Sequence, residues 1–246
     1  MLLSSLCPTI QTFLLSGGDV CFGICNCVQE KMWFDYIYET EVKLNFDVHG
    51  IGQHGIELDI GGTDIVDLSD VICNNQIKVS KLWFWLNYKL DMRPFERCSQ
   101  GTVMQNILDL ELSSFYLARI PNFVHTLTKL EWLSFVFENI TEIYANDFRG
   151  LTELKVLYLY NNLITTIHPH AFDTNTKLRE LYLHNNMLTH VPDSVLNLNL
   201  EKFTMDAIDC TCSNLQNLKQ VNATFVDSIQ CLDMTQSAKN ALDACP

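Results

Sequence analysis

Hydrophobic residues recur at a fixed spacing between residues 154 and 199. Two segments, LKVLYLYNNLITTIHPHAFDTNTK from residue 154 and LRELYLHNNMLTHVPDSVLNLN from residue 178, share leucines at places one, four and six and an asparagine at place nine. This spacing does not continue as one face of a helix, and it is typical of a short strand that ends at a corner. The asparagine amide can bond backbone groups that the corner leaves unpaired. The pattern therefore predicts stacked coils, each covering the apolar side of its neighbour.

The same register extends to both sides of these two segments. The apolar places of the other coils hold, in chain order, Leu58 and Ile60; Val79, Leu82 and Phe84; Ile107, Leu110 and Leu112; Leu130, Leu133 and Phe135; and Leu200, Phe203 and Met205. Phe148 falls where Phe172 sits one coil later. Place nine holds Thr63, Phe115 and Glu138 in the less regular coils, which predicts that the ladder of amides is broken there.

This pattern resembles the extracellular leucine-rich repeat family, in its subtype of about 24 residues per repeat. The resemblance implies an α/β fold, a right-handed leucine-rich repeat solenoid (horseshoe) with short parallel strands on the concave face and disulfide-rich terminal caps. The predicted boundaries are a signal peptide at 1–18, an N-terminal cysteine-rich cap at 19–54, leucine-rich repeats at 55–199, and the last repeat with a C-terminal cysteine-rich cap at 200–246.

The first eighteen residues are predicted to direct secretion. Pro8, Gln11 and Thr12 interrupt their apolar stretch and no Lys or Arg precedes it, but Ser16 and Gly18 supply the small residues that a signal peptidase needs before Asp19. No later stretch approaches the roughly 18 to 20 apolar residues of a membrane span. We therefore expect a secreted, extracellular protein without a membrane span, or the ectodomain fragment of a longer membrane receptor.

The ten cysteines favour the same compartment, because eight of them cluster at the two ends of the chain. The late cluster follows the last repeat, and the family resemblance implies that it forms a cap in which Cys210 pairs with Cys231 and Cys212 with Cys245. The early cluster is Cys7, Cys21, Cys25 and Cys27. A zinc site is the other interpretation of clustered cysteines, but no spacing here is that of a paired finger, so no metal is expected.

Two further features concern the remaining thiols. Cys73 and Cys98 are 25 residues apart, about one coil, and stacked strands lie about 4.8 Å apart, so a disulfide between them is predicted. Two buried free thiols are the alternative. Removal of Cys7 with the signal leaves nine cysteines, and an odd number suggests a disulfide-linked dimer through one of Cys21, Cys25 or Cys27.

The formal net charge of −13 argues against a nucleic-acid partner, whose phosphates would be repelled. Ten carboxylates and only two lysines lie between Glu30 and Asp70. They form either a solvated acidic face or a docking site for a basic partner. Two glycosylation acceptors, at Asn139 and Asn222, agree with secretion.

Places three, five and seven of each strand are expected to point away from the core, towards the concave side. The aromatic and histidine residues at those places, our candidates for ligand binding, are Trp83, Trp85, Trp132, Tyr158, Tyr160, Tyr182 and His184. Exposed aromatic patches usually mark interaction sites, and Trp and Tyr often anchor interfaces. The alternative is that these rings only stack on one another and support the sheet.

No arrangement of residues predicts catalysis. His49 and His54 lie in a glycine-rich stretch without a carboxylate at the offset of a hydrolase motif, and His168 and His170 fall on the outer turn. We therefore expect a non-enzymatic protein without a cofactor. The resemblance implies recognition of an extracellular protein or glycan partner, as in innate immunity, adhesion or matrix assembly. The alternative is a disulfide-linked structural subunit of a homo- or hetero-oligomer.

Overall fold

The computed structural model of the protein describes residues 104–215 without interruption. Outside that range it describes 13–15, 26–28, 31–34, 42–46, 56–61, 66–67, 73, 79–85, 92–98, 101, 229–232 and 237–245. The chain forms two compact units, the first made of residues 1–115 with 126–130 and the second of residues 116–125 with 131–246.

The first unit contains a series of parallel strands. Its elements are β1 (Phe13–Leu15), β2 (Asn26–Val28), β3 (Lys31–Phe34), β4 (Val42–Phe46), β5 (Ile56–Gly61), β6 (Val66–Asp67), β7 (Val79–Trp85), helix α1 (Arg93–Arg97), a 3-10 turn at Met104–Asn106 and β8 (Asp109–Ser113). Strands β3, β5, β7 and β8 are parallel neighbours in that order, and β2 pairs with β3 antiparallel. Strand β4 pairs with β1 antiparallel and with β6 in parallel. Because Leu82 lies opposite both Leu58 and Leu110, the predicted repeat places coincide in space.

The second unit repeats one coil several times. Its elements are a 3-10 turn at Asn122–Thr126, β9 (Trp132–Val136), β10 (Glu142–Ile143), β11 (Val156–Tyr158), β12 (Thr166–Ile167), β13 (Glu180–Tyr182), helix α2 (Asp193–Leu196), β14 (Lys202–Thr204), helix α3 (Cys212–Leu215) and helix α4 (Ala238–Asp243). Strands β9, β11, β13 and β14 are parallel neighbours, and β10 pairs with β12 in a second parallel sheet. A strand, a corner and a short second strand or turn thus recur from coil to coil. This is the predicted leucine-rich repeat solenoid.

The core of the second unit consists of residues that share a repeat place. Leu133, Leu157, Leu181 and Phe203 lie opposite one another in neighbouring strands, and each is at most 4% exposed. On the turn side the rings of Phe148 and Phe172 stack at 5.6 Å between centroids. Each of these contacts joins residues of two neighbouring coils, so a single coil cannot bury its apolar side chains by itself.

The asparagines at place nine join neighbouring coils. Asn162 Oδ1 accepts a hydrogen bond from Ile140 N at 3.1 Å, and its Nδ2 donates to the carbonyl oxygens of Phe135 at 2.8 Å and Leu159 at 3.1 Å. Asn186 repeats this one coil later, accepting from Ile164 N at 2.9 Å. The amide thus satisfies backbone groups at the corner that would otherwise be buried without these partners.

Glu138 occupies place nine one coil earlier, where the sequence predicted a break in the ladder of amides. The prediction is wrong for the accepting half of the ladder, because the Glu138 carboxylate accepts the bond that an asparagine oxygen accepts elsewhere. Glu138 is 3% exposed, and its Oε2 accepts a hydrogen bond from Leu117 N at 2.7 Å, as the asparagine oxygens do for the following coils. A longer side chain still reaches the same kind of donor. An ionised carboxylate has no N–H, so Glu138 cannot donate to backbone carbonyl groups as the asparagine amides do.

Disulfides close the late part of the chain. Cys210 is bonded to Cys231 and Cys212 to Cys245, the pairs that the family resemblance implied. Ile208 bridges to Cys231 in parallel, and its amide donates to Gln230 O at 3.0 Å, so the cap continues the pairing of the coils. The cap has buried residues of its own, which are Leu215, Ile229, Cys231, Ala238 and Ala241.

A third disulfide joins Cys73 to Cys98, with a Cα separation of 5.2 Å. The predicted pair is therefore present in the first unit, where Cys98 ends helix α1. Cys7, Cys21 and Cys25 lie outside the described residues, as does the side chain of Cys27, so the predicted dimer through them stays a prediction. Within the described ranges, no helix is long and apolar enough to cross a membrane.

Candidate binding surface

The side chains that alternate with the buried leucines of the second unit form one surface, which we call the strand face. It comprises Trp132, Tyr158, Tyr160, Glu180, Tyr182, His184, Lys202 and Thr204. In β11 and just after it, Leu157 and Leu159 are fully buried, whereas Tyr158 and Tyr160 on either side of Leu159 are partly exposed. The outward places of β11 are therefore partly exposed, because a strand turns alternate side chains to opposite faces. In β9 only Trp132 is partly exposed, since Ser134 and Val136 at the other two predicted places are 3% and 4% exposed.

Most of the strand face is a cluster of stacked rings. Tyr158 and Tyr182 lie opposite each other in β11 and β13, and their rings stack at 4.5 Å with an interplanar angle of 5°. Tyr160 and His184 stack one place further on, at 4.7 Å and 8°. Trp132 packs against Tyr158 at 5.2 Å, tilted by 51°.

The stacking distance determines how these rings stand on the sheet. Both separations are close to the spacing of about 4.8 Å between strands, so the ring planes stand upright and their faces cover one another. The mutual stacking that was the alternative interpretation is therefore present. It leaves ring edges and hydroxyl groups directed away from the core.

Polar side chains connect the ring cluster to the neighbouring strand. Tyr182 Oη donates to Glu180 Oε2 at 2.7 Å, and Lys202 Nζ lies 2.8 Å from Glu180 Oε1. The bonds from Lys202 and then from Tyr182 lower the pKa of Glu180. Burial, followed by the bond to Glu180, raises the pKa of Tyr182 above its ordinary value. At neutral pH the face therefore contains a charged Glu180–Lys202 pair beside a neutral tyrosine.

The lowered pKa of Glu180 predicts a pH dependence of stability. Because this pKa is lower in the folded state than in the unfolded chain, the contribution is present above the ordinary glutamate value of about 4.3 and is lost as the pH falls through the lowered one. We expect Glu180→Gln to reduce the loss of stability between about pH 6 and pH 3, as measured by urea unfolding. Tyr182→Phe removes only one of the two bonds and should have a smaller effect. Superimposable pH profiles for all three proteins would contradict the assignment.

The tryptophans of the first unit are placed less completely. Leu82 and Phe84 on either side of Trp83 are fully buried, and Trp83 itself is partly exposed, as its predicted outward place requires. Lys81 Nζ lies 5.7 Å from the centre of the Trp83 ring and 3.3 Å from Asp109 Oδ2. The side chain of Trp85 lies outside the described residues. A binding stripe that includes Trp83 and Trp85 remains a prediction.

Phe137 extends the ring cluster and was not among the sequence candidates. Its ring meets that of Tyr160 at 6.1 Å in an edge-to-face arrangement, and the side chain is 55% exposed. It stands at place eight, just beyond the end of β9, whereas the prediction considered only places three, five and seven. An aromatic residue directly after the outward places was the signal that would have found it.

Among the residues that the structure describes, no cluster of three or more His, Cys, Asp or Glu side chains has the arrangement to hold a metal ion. His170 Nδ1 lies 3.0 Å from Asp173 Oδ2 and its ring is 5.5 Å from that of His168, and all three residues are exposed on the turn side. His49 and His54 lie outside the described residues.

The repeated coils, their aligned leucines and the cysteine cap define a leucine-rich repeat solenoid with a disulfide-rich cap. The family described as "Leucine rich repeat" matches residues 128–188, which contain β9, β11 and β13. Among solved structures, the chain is similar to one titled "Crystal structure of TLR13-ssRNA13 complex", at 18% sequence identity and a TM-score of 0.48. The similar region covers 63% of this chain and 22% of that one. No curated protein matches the sequence. Repeat solenoids of this kind use extended surfaces for interaction with other molecules.

Proposed function

We propose that this chain is an extracellular, non-catalytic recognition protein that binds a protein or glycan partner through the strand face. The observation that carries the proposal is the contiguous cluster of partly exposed rings formed by Trp132, Tyr158, Tyr160, Tyr182 and His184. Large aromatic side chains gain free energy from burial. A cluster that leaves part of this area in water is therefore suited to a partner that covers it.

A charged pair is bonded to the rings. Lys202 Nζ lies 2.8 Å from Glu180 Oε1, and Tyr182 Oη donates to the other oxygen of the same carboxylate. Interfaces commonly have an apolar, aromatic centre and a polar rim. The stacked rings also restrict the side chains before binding, which reduces the entropy that a partner's arrival would cost. Both features support recognition over a purely structural role for the cluster.

Three disulfides in the described parts of the chain support the extracellular part of the proposal. Disulfides persist in oxidising compartments and are rare in the cytosol. The net charge of −13 supports a partner other than nucleic acid. Roles in immunity, adhesion and matrix assembly would all use the strand face.

A double substitution tests the strand face. The purified secreted chain is incubated with an array of extracellular proteins and an array of glycans, and the affinity for each binder is compared with that of Trp132→Ala/Tyr158→Ala. We expect a loss of about 2 kcal/mol or more, because aromatic anchors of this kind dominate interfaces. Circular dichroism checks that the variant is folded.

Arg149→Ala is the matched control, since Arg149 is exposed on a turn of the same unit, away from the strands. It should bind as the unmodified chain does. Binders that tolerate the double substitution with a normal fold would refute the strand face as the binding surface.

A further inference from the structure

Phe137 has two unfavourable features, a left-handed backbone and an exposed aromatic ring. Its backbone has a φ of 58°, in the left-handed region that bulky side chains rarely adopt. The same place in the next two coils holds Asn161 and Asn185, with φ of 56° and 55°, and asparagine adopts this conformation readily. In addition, the Phe137 side chain is 55% exposed despite its contact with Tyr160.

The residues after Phe137 alternate between exposed and buried. Phe137, Asn139 and Thr141 are exposed, whereas Glu138 and Ile140 between them are 3% and 0% exposed. The buried Glu138 and Ile140 thus separate three side chains that all reach the surface. Asn139, Ile140 and Thr141 form a glycosylation acceptor. An exposed aromatic residue thus precedes the acceptor asparagine by two positions.

Apolar residues also flank Asn139 in the coils before and after it. The amide of Asn139 donates to Leu117 O at 3.0 Å, and Leu163 N donates to Ile140 O at 3.0 Å. This ladder puts Tyr116 and Leu163 at the same place as Asn139 in the adjacent coils. Tyr116 is 59% exposed and Leu163 is 40% exposed.

We propose that Asn139 carries an N-linked glycan whose first N-acetylglucosamine packs on the ring of Phe137, between Tyr116 and Leu163. The proposal requires passage through the secretory route and is independent of what the strand face binds. In the modification, Asn139 Nδ2 forms a bond to C1 of the sugar and the bond between C1 and the pyrophosphate of a lipid-linked donor breaks. The pyrophosphate leaves with the bonding electrons, and one amide proton passes to a base of the transferase.

The chemistry of the first sugar suits this place. One face of N-acetylglucosamine presents C–H bonds with small positive charges, and the face of an aromatic ring is negative. Contact between the two removes apolar area of both from water. A covalently attached sugar is held within reach of the ring, so little further entropy is lost on contact. The glycan would then cover an apolar side chain that the protein alone leaves exposed.

The test uses the full chain secreted from mammalian cells. Mass spectrometry of glycopeptides measures occupancy at Asn139 and, as an internal comparison, at Asn222. Melting temperatures are then compared in a cycle of four proteins: the unmodified chain, Asn139→Gln, Phe137→Asn, and the double variant. Phe137→Asn places at this position the residue type that the next two coils use.

We expect Asn139 to be occupied. Loss of the glycan by Asn139→Gln should lower the melting temperature by about 2–4 °C more in the unmodified chain than in the Phe137→Asn variant. Enzymatic trimming to a single N-acetylglucosamine should keep this difference, since the first sugar makes the contact. Met187→Gln is the control. Met187 is 56% exposed and stands at the place of Asn139 two coils later, so its substitution should not change the effect of the glycan.

Three results would overturn the proposal. A glycan at Asn222 with none at Asn139 would remove the modification while leaving secretion intact. The absence of glycans at both sites would also argue against the secretory route. An occupied Asn139 whose effect on the melting temperature is the same with and without Phe137 would remove the packing of sugar on ring.

Discussion

Asn162→Ala is expected to lower the free energy of unfolding by about 3–5 kcal/mol. Asn162 is 5% exposed, and its amide serves three buried backbone groups, Ile140 N, Phe135 O and Leu159 O. Alanine removes all three bonds at once. Leu159 O keeps the bond from Asn186 Nδ2 at 2.9 Å, whereas Ile140 N and Phe135 O lose the Asn162 amide, and each buried group left without a partner costs about 1–3 kcal/mol. Partial rearrangement or entry of a water molecule reduces the sum. Urea unfolding followed by circular dichroism measures the effect.

Asn162→Asp separates the two halves of this interaction. The carboxylate keeps an acceptor for Ile140 N and loses both donors, so at neutral pH the variant should be at least as unstable as alanine. Lower pH should recover part of the stability, because a protonated carboxyl can donate one bond. Asn146→Ala, at an exposed position in a turn of the same unit, should change stability by less than about 0.5 kcal/mol. Equal effects of Asn162→Ala and Asn146→Ala would refute the role of the buried amide.

Phe172→Ala is expected to cost about 3–5 kcal/mol, because it opens a cavity between two coils. Phe172 is 2% exposed, and its ring stacks on the fully buried Phe148 of the preceding coil at 5.6 Å with an interplanar angle of 14°. The substitution removes apolar burial and the stacking contact together. Thermal and urea unfolding of the purified variant would measure the loss.

The double variant Phe148→Ala/Phe172→Ala tests whether the two rings act as one unit. Its loss should be smaller than the sum of the single losses, since either substitution already removes the contact. Phe172→Leu, which fills most of the space, should cost much less than alanine. A loss below about 1 kcal/mol for Phe172→Ala would show that the coils collapse around the cavity.

Much of the fold could be predicted from the sequence because each coil repeats the same pattern of apolar and polar places. The places of Leu133, Leu157 and Leu181 recur every 24 residues, and the structure aligns them as opposite partners in neighbouring strands. The same period located the Cys73–Cys98 disulfide, one coil apart. Period and place are properties of the linear chain, so they require no knowledge of neighbouring side chains.

Other contacts depend on distances between coils that the sequence does not state. The reach of Glu138 to Leu117 N is one example. Asn175 is another: its fully buried Nδ2 donates to Phe148 O at 3.0 Å and Leu151 O at 2.9 Å on the turn side. None of these three partners is predictable from the repeat, because each lies more than twenty residues away and comes within bonding distance only after the coils stack.

The strand face shows the same division. The sequence by itself determined that Tyr158 and Tyr160 point outward, since alternation along a strand fixes the side to which they turn, but it did not find Phe137. Only the tertiary structure decided that Tyr158 stacks on Tyr182 and that Tyr182 bonds Glu180, which Lys202 also holds. The stacking of Tyr158 on Tyr182 and the Lys202–Glu180 pair join neighbouring strands. They require strands about 4.8 Å apart, a spacing that exists only when the coils are packed.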